Sequence, residues 1–318
     1  MKKYILLFSI IFVVVLSGCK GSSGSKPITD VDVRKGTDGL VIEFTKNAPP
    51  DRVFEDSVFP IAMHLRNKGA SDIKQGFLAL GFEKTYVDFA DEKEESIEFE
   101  IKGKSIFNIN GDEEFITLNA KTKKVGAQSE THPSTILATA CYPYKTILGT
   151  SVCVDTDIFG TKLRDKACEV KDIQFSKGQG GPITITKIET RMLPSADQDP
   201  DKVKPHFIIF IENKGNGEVI ASDKIKDACS NKPLNYKDFN KIKITASLSG
   251  KELNCNIGEK KDITEIRLRE KKDMVRCTLE DGVDRNQDAY TAPLQIELNY
   301  GYTFTISKDI IIEKILTY

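Results

Sequence analysis

Three histidines, two runs of alternating acids, two pairs of tyrosines and seven cysteines are the residues whose chemistry could matter in this 318-residue sequence. The histidines are His64, His132 and His206. They are far apart in the chain and no Gly-x-Ser-x-Gly elbow accompanies them, so a hydrolytic triad would have to be assembled wholly by the fold. "DQDPD" carries Asp197, Asp199 and Asp201, and "DRNQD" carries Asp284, Asn286 and Asp288. Calcium loops use this spacing because alternate residues point at one hard cation. Neither run has the glycine and glutamate that complete such a loop. Both read as solvated turns, as does "DEKEES" (91–96), and no metal or other cofactor is expected. "CYPYK" (141–145) and "NYGYTF" (299–304) each hold two tyrosines. A tyrosine packs its ring while its hydroxyl bonds, so a pair can face a sugar or a protein. Tyr300 and Tyr302 fall on an apolar row and read as core. Tyr142 and Tyr144 straddle Pro143 and are candidates for a surface contact, with packing the favoured alternative. "SKGQGGP" (176–182) is rich in glycine, but a strand pattern follows it where a phosphate-binding loop needs a helix. It reads as a linker or a kink before a strand.

The cysteines divide into one and six. Lys2 and Lys3 precede a thirteen-residue run, Tyr4 to Leu16, that is nearly all apolar. A membrane-spanning helix needs about 20 residues, and a signal-peptide core is shorter. Ser17 and Gly18 then lead to Cys19. Leu16-Ser17-Gly18-Cys19 resembles the lipobox of bacterial and archaeal-type lipoproteins. That resemblance implies cleavage after residue 18 and a diacylglyceryl group on Cys19. One acyl chain anchors only marginally, whereas two anchor stably. "KGSSGSK" (20–26) suits a flexible tether. Loss of Lys2 and Lys3 would leave Lys+Arg at 44 against Asp+Glu at 47, a net charge of −3. A nucleic-acid partner would call for a basic face, and none is expected.

Six cysteines remain, and in an exported chain an even set reads as disulfides. Sequence alone leaves fifteen connectivities. Cys153 and Cys168 flank a stretch whose midpoint falls between Gly160 and Thr161, so a hairpin turning there would set them opposite each other. Closing that loop is worth about 3 kcal/mol in the chain-entropy model. Cys255–Cys277 is a plausible second pair, and Cys141–Cys229 would then tie the two halves of the chain. No Cys-x-x-Cys occurs and no histidine lies at ligand spacing from a cysteine, which argues against zinc.

Period-2 alternation dominates the elements that must position these groups. Leu294 to Ile306 is the clearest case, with Gly301 in its middle suggesting a bulge. Further short runs fall at 40–45, 58–66, 73–81, 95–102, 114–120, 134–141, 146–154, 183–188, 206–212, 242–248, 263–269, 274–279 and 308–315. Helical periodicity is confined to short pieces near 221–230 and 235–242, which excludes crossover helices and doubly wound nucleotide folds. "MHLRNKGASDI" (63–73) and "IFIENKGNGEV" (209–219) repeat a strand that runs into Asn-Lys-Gly, with Asn67 and Asn213 146 residues apart. Each glycine is expected to take the positive φ of a tight turn. With 39% hydrophobic residues the composition is globular. The reading is all-β: two tandem antiparallel β-sandwich domains, 38–176 and 177–318, after a signal peptide (1–18) and a lipidated tether (19–37).

A strand ending in Asn-Lys-Gly, at Met63 to Ala70 and again at Ile209 to Asn216, resembles the CARDB-type and related immunoglobulin-like domains of exported prokaryotic proteins. The resemblance implies sandwiches of about seven strands used as spacers or adhesion modules, with no catalytic residues. The expected protein is not an enzyme. It is an extracytoplasmic lipoprotein, held to the membrane through Cys19, with a binding, adhesion or structural role toward another envelope or surface protein or a glycan. A solute-binding lipoprotein of a transporter, or a secreted hydrolase, are the competing classes. The first needs α/β lobes and the second needs clustered acid, base or nucleophile.

Overall fold

The computed structural model describes residues 29–90, 96–161, 165–195, 201–230, 232–257 and 264–316. Cys19, the signal peptide, Asp197, Asp199 and most of "DEKEES" lie outside the described residues. The first half holds helix α1 (Asp30–Val33) and strands β1 (Leu40–Phe44), β2 (Arg52–Phe54), β3 (Val58–Asn67), β4 (Ile73–Gly81), β5 (Val87–Phe89), β6 (Ser96–Ile101), β7 (Glu113–Thr122) and β8 (Thr131–Val154). The second half runs through β9 (Ile173–Gln174), β10 (Ile183–Pro194), β11 (Lys202–Asn213), β12 (Glu218–Ile220), helix α2 (Ile225–Ala228) and β13 (Lys241–Leu248). It ends with β14 (Lys251–Glu252), β15 (Asn254–Asn256), β16 (Glu265–Arg267), β17 (Lys272–Thr278), β18 (Val283–Asp284) and β19 (Tyr290–Glu313).

The fold is an all-β sandwich. Pairing is antiparallel except where β2 meets β19. A long sheet in the order β14-β13-β19-β8-β4-β6 carries two smaller ones, β1-β3-β7-β5 and β15-β17-β11-β10-β9. The three sheets share one continuous apolar core, from Ile61, Met63 and Leu65 in the first half to Ile183, Phe207 and Val275 in the second.

The backbone of the long sheet is one ladder. β8 and β19 pair without a register break from Thr131↔Glu313 to Val154↔Tyr290. At about 3.4 Å per residue these 24-residue strands are roughly 80 Å long. The sequence runs at 134–141 and 146–154 are therefore one strand, as are 294–306 and 308–315. Alternation explains the continuity: Ile136, Ala138, Ala140, Tyr142, Tyr144, Thr146 and Leu148 are all buried, straight through Pro143. Pro143 faces Gly301 across the ladder. The bulge expected at Gly301 is absent. Glycine is needed there for close approach, because a Cβ would lie 2.8 Å from Ile220 Cγ1 and 3.0 Å from Ile225 Cγ1.

One further expectation is corrected and another narrowed at the waist of the molecule. Residues 29–37, assigned to the tether, are structured. Thr29 and Asp32 form a capping box for α1, Val33 is buried, and the Gly36 N–H donates to Lys177 O at 2.7 Å. Residues 176–182 are not a free linker but the kink before a strand, turning at Gly178 and Gly180 and leading into β10 at Ile183. The Gly180 C=O accepts from the Ala70 N–H at 2.8 Å and from the Tyr144 hydroxyl at 3.1 Å, across the boundary between the halves.

Three disulfides staple this frame: the pair the spacing favoured, the plausible second pair, and the pair left over. Cys153–Cys168 ties the end of β8 to a loop, not to the neighbouring strand of a hairpin. Cys255–Cys277 links facing residues of β15 and β17. Cys141–Cys229 fastens β8 to the end of α2 over a separation of 88 residues. A chain that holds three disulfides belongs in an oxidising, extracytoplasmic compartment.

Candidate functional site

The fold keeps the three histidines apart, on three different sheets. His64, on β3, stacks on Phe115 at 4.2 Å and has Nε2 2.8 Å from Glu113. His132, on β8, stacks on Tyr86 at 3.6 Å with Nε2 3.0 Å from Glu83. His206, on β11, has Nδ1 2.8 Å from Thr278 Oγ1. Desolvation, with Arg276 and Arg191 nearby, holds its pKa below the ordinary value. A nucleophile–base reading of that last pair needs a third group to orient the imidazole. Among the described residues no carboxylate hydrogen-bonds to His206.

The described parts of the two acidic runs lie side by side, since β11 pairs with β18 at Lys202↔Asp284, but they build no carboxylate cluster. Asp284 Oδ1 accepts from the Asn286 N–H at 2.8 Å, a turn closed on itself, and Asp288 follows in the same loop. Asp201 uses its backbone C=O to accept from Arg285. Among the described residues no three histidine, cysteine, aspartate or glutamate side chains converge on a point that could hold a metal ion. Beside Cys153–Cys168, Lys166 bridges Asp155 at 2.7 Å and Asp157 at 3.3 Å, a contact the sequence did not signal. Hydrogen bonding to Asp155 is the main cause of a raised Lys166 pKa.

The chemistry-bearing residues that do come together are tyrosines and asparagines at the waist. The surface-contact reading of Tyr142 and Tyr144 is overturned: they are 1% and 3% exposed. They pack with Tyr300 and Tyr302 in one cluster, with ring centroids 5.7 to 6.4 Å apart. Their alternation with Ala138, Ala140 and Leu148 carried the signal, and Pro143 masked it.

Each phenol closes a backbone gap, and the pattern is written twice. Tyr142 accepts from the Leu40 N–H at 3.3 Å, and Tyr300 from the Ile183 N–H at 3.4 Å. Tyr144 accepts from the Ser71 N–H at 3.3 Å, and Tyr302 from the Gly217 N–H at 2.8 Å. Asn67 Nδ2 donates to Ser71 O at 2.8 Å, and Asn213 Nδ2 to Gly217 O at 2.9 Å. Asn67 Oδ1 accepts from Gly69 at 3.1 Å, and Asn213 Oδ1 from Gly215 at 3.0 Å. The Asn-Lys-Gly repeat is thus a structural duplication. The positive φ expected at Gly69 and Gly215 is not found. Glycine is required there because a Cβ would lie 1.7 Å from the Tyr144 hydroxyl or 2.2 Å from that of Tyr302. Burial raises all four phenol pKa values, that of Tyr302 to about 12.

Three depressions open around this waist. A charged cleft of about 960 Å³ lies between Arg66, Lys68, Glu100 and the 104–114 segment, and Asp38 lines it. A more apolar groove of about 740 Å³ runs between α1, Leu148 and Phe175. A third, of about 370 Å³, lies between β1, Lys214 and Phe304. In the first, Arg66 is paired with Glu43 and Glu113 with His64; in the second, Arg34 is paired with Asp30 and Lys35 with Asp32. The third borders an open strand edge.

No described protein family matches this sequence, and no curated protein does. Among solved structures the chain is similar to a secreted serine protease from Vibrio cholerae, at 10% identity over 82% of this chain and 50% of that one, with a TM-score of 0.20. It is also similar to the C-terminal globular domain of an oligosaccharyltransferase from Pyrococcus abyssi, at 10% identity over 83% and 45%, with a TM-score of 0.21. A third is a serine-rich repeat adhesion glycoprotein from Streptococcus agalactiae, at 9% identity over 91% and 100%, with a TM-score of 0.18. The chain spans about half the length of the first two. Likenesses this loose carry nothing about activity.

Proposed function

We propose that this chain is an extracytoplasmic lipoprotein, anchored through Cys19, that works without catalysis as a binding or structural module of the cell envelope. The observation that carries the reading is the waist. There the tyrosine and asparagine side chains that could do chemistry are turned inward, and bonds from Tyr144 to Gly180 O and between Thr146 and Tyr300 join the two halves. Stiffness over a length of about 80 Å suits a spacer or a scaffold that presents a contact face away from a membrane. Three disulfides suit the oxidising side of that membrane. Among the described residues no helix is long and apolar enough to cross a bilayer, so in this reading the lipid supplies the anchor. The partner is another envelope or surface protein, or a glycan.

Fractionation of producing cells, with intact mass on the membrane-bound form, tests the proposal. The expected result is loss of residues 1–18 and a diacylglyceryl increment on Cys19. Cys19→Ala should move the chain out of the membrane fraction. An unmodified Cys19 on a membrane-bound chain would overturn the anchor.

A further inference from the structure

The duplication allows the two halves to be compared edge by edge. β1 and β10 are equivalent strands, offset by 143 residues, each pairing with the strand that ends in Asn-Lys-Gly. Each turns alternate backbone groups away from that neighbour. Over the stretch of β10 that corresponds to β1 these outward groups are met. The Ile183 N–H reaches the Tyr300 hydroxyl. The Ile185 N–H and C=O are capped by the carboxamide of buried Gln179, at 2.8 and 3.0 Å. Further on, β9 adds as a strand, pairing Gln174 with Lys187 and Ile173 with Ile188, and Phe175 N–H donates to Thr186 O at 2.9 Å.

In β1 the outward residues are Leu40, Ile42 and Phe44. The ladder to β3 fixes this, since Gly39 O and Thr45 N face the other way, toward Lys68 and Ala62. The Leu40 N–H finds Tyr142, as its counterpart finds Tyr300. There the correspondence stops. Among the described residues no hydrogen bond reaches the outward N–H or C=O of Ile42 or Phe44, and β1 ends its sheet. The cause is local. The residue in Gln179's place is Gly36, which has no side chain to cap with. The segment in β9's place is helix α1, and Gly36 is drawn across the waist, donating to Lys177 O and accepting from the Gly180 N–H at 2.8 Å. What remains beside β1 is the 370 Å³ groove, walled by Ile42, Tyr142, Lys214, Phe304 and Ile306.

We infer that this edge and groove take an extended segment of a partner protein by β-strand addition. The chain carries its own template for the occupant. β9 and its flank, "DIQFS" (172–176), are extended, lack proline, and set Ile173 and Phe175 against the core. A segment of that kind would pair its backbone with Ile42 and Phe44 and lay an apolar side chain in the groove. Main-chain bonds supply affinity in such complexes and the groove supplies selectivity. An unpaired edge is a standing template for this pairing. The inference rests on the binding reading proposed above, but not on the lipid, so the Cys19 experiment and this one can fail separately.

The test is residue-resolved hydrogen exchange on the mature chain, with a synthetic peptide of residues 170–178, VKDIQFSKG, as probe. In the chain alone the Ile42 and Phe44 amides should exchange freely while the Ile185 amide is protected. Peptide at about 1 mM, the weak end of specific recognition, should slow Ile42 and Phe44 about tenfold or more. Of two peptides N-methylated on alternate residues, one set for each edge, one should lose the effect. No slowing, or equal slowing by both methylated peptides, would overturn the inference. Protection already present in the chain alone at every concentration would assign the edge to a segment of this chain. Protection that rises with chain concentration, together with a dimer, would assign it to a second copy. Either result also overturns the partner.

Discussion

Replacing Asn67 or Asn213 by alanine removes the same set of bonds from two places in one molecule, which makes the waist measurable. At Asn213 three hydrogen bonds vanish: Nδ2 to Gly217 O at 2.9 Å, Gly215 N–H to Oδ1 at 3.0 Å, and Tyr302 hydroxyl to Oδ1 at 3.2 Å. A buried polar group left without a partner costs about 1–3 kcal/mol. Two backbone groups and a hydroxyl are affected and water reaches the turn in part, so Asn213→Ala should cost about 3 kcal/mol. Asn67→Ala should cost about 4 kcal/mol, because Asn67 is wholly buried and its Nδ2 also serves Ile101 O at 3.3 Å. Against a typical stability of about 5–15 kcal/mol either loss is large. The assay is guanidinium unfolding followed by far-ultraviolet circular dichroism, with the disulfides oxidised, reading the midpoint at constant slope. The neighbours Lys68→Ala and Lys214→Ala should shift stability by less than about 0.5 kcal/mol. Asn213→Ala and Tyr302→Phe share a bond, so the double variant should cost less than the two single losses added, by about 1 kcal/mol. A loss under about 1 kcal/mol at both asparagines, or equal to that of the lysines, would refute the claim that these asparagines hold the two turns to their tyrosines.

Three further outcomes are expected. Chain entropy over the 88-residue separation gives Cys141–Cys229 about 4.6 kcal/mol, against about 3.0 for Cys153–Cys168. Cys141→Ala/Cys229→Ala should therefore lower the melting temperature more than Cys153→Ala/Cys168→Ala. In alkali the unfolded chain ionises its phenols near pH 10.0, while burial keeps Tyr142, Tyr144, Tyr300 and Tyr302 neutral to higher pH. The unfolded state sheds protons first, so stability is intact below pH 10.0 and declines as pH climbs toward 12 and beyond. Phenolate absorbance should show these tyrosines titrating only with the loss of structure. Gly301→Ala forces a Cβ against Ile220 and α2 and should cost about 1–3 kcal/mol, read by the same unfolding assay.

How much of this was legible depended on the range of the cause. Strand positions such as 40–45, 58–66 and 73–81 follow from alternation, a local property, and lie within a residue of β1, β3 and β4. Pairs such as β9 with β10 are only two residues long and leave no periodic trace. Pro143 and Gly301 read as breaks because punctuation is judged along the chain, whereas their tolerance is decided across it, where each faces the other. The Asn-Lys-Gly repeat was visible. Its meaning was not, because Asn67 and Asn213 act on tyrosines 77 and 89 residues away. Gln179 gave no signal at all, since a carboxamide that stands in for a strand has no pattern to betray it.

The long ladder holds one more consequence. Subtracting 158 from each number in β19 makes its pairing reciprocal: Tyr142 faces the counterpart of Tyr144, Tyr144 faces the counterpart of Tyr142, and Pro143 faces its own counterpart, Gly301. That is the isologous geometry of a two-fold dimer, written into a single polypeptide with the axis passing between Pro143 and Gly301. In a true dimer every residue on the axis must tolerate itself, and every change at the interface is made twice. Fusion removes that requirement. A donor-less ring can then sit opposite the smallest residue, and one half can close an edge that the other leaves open.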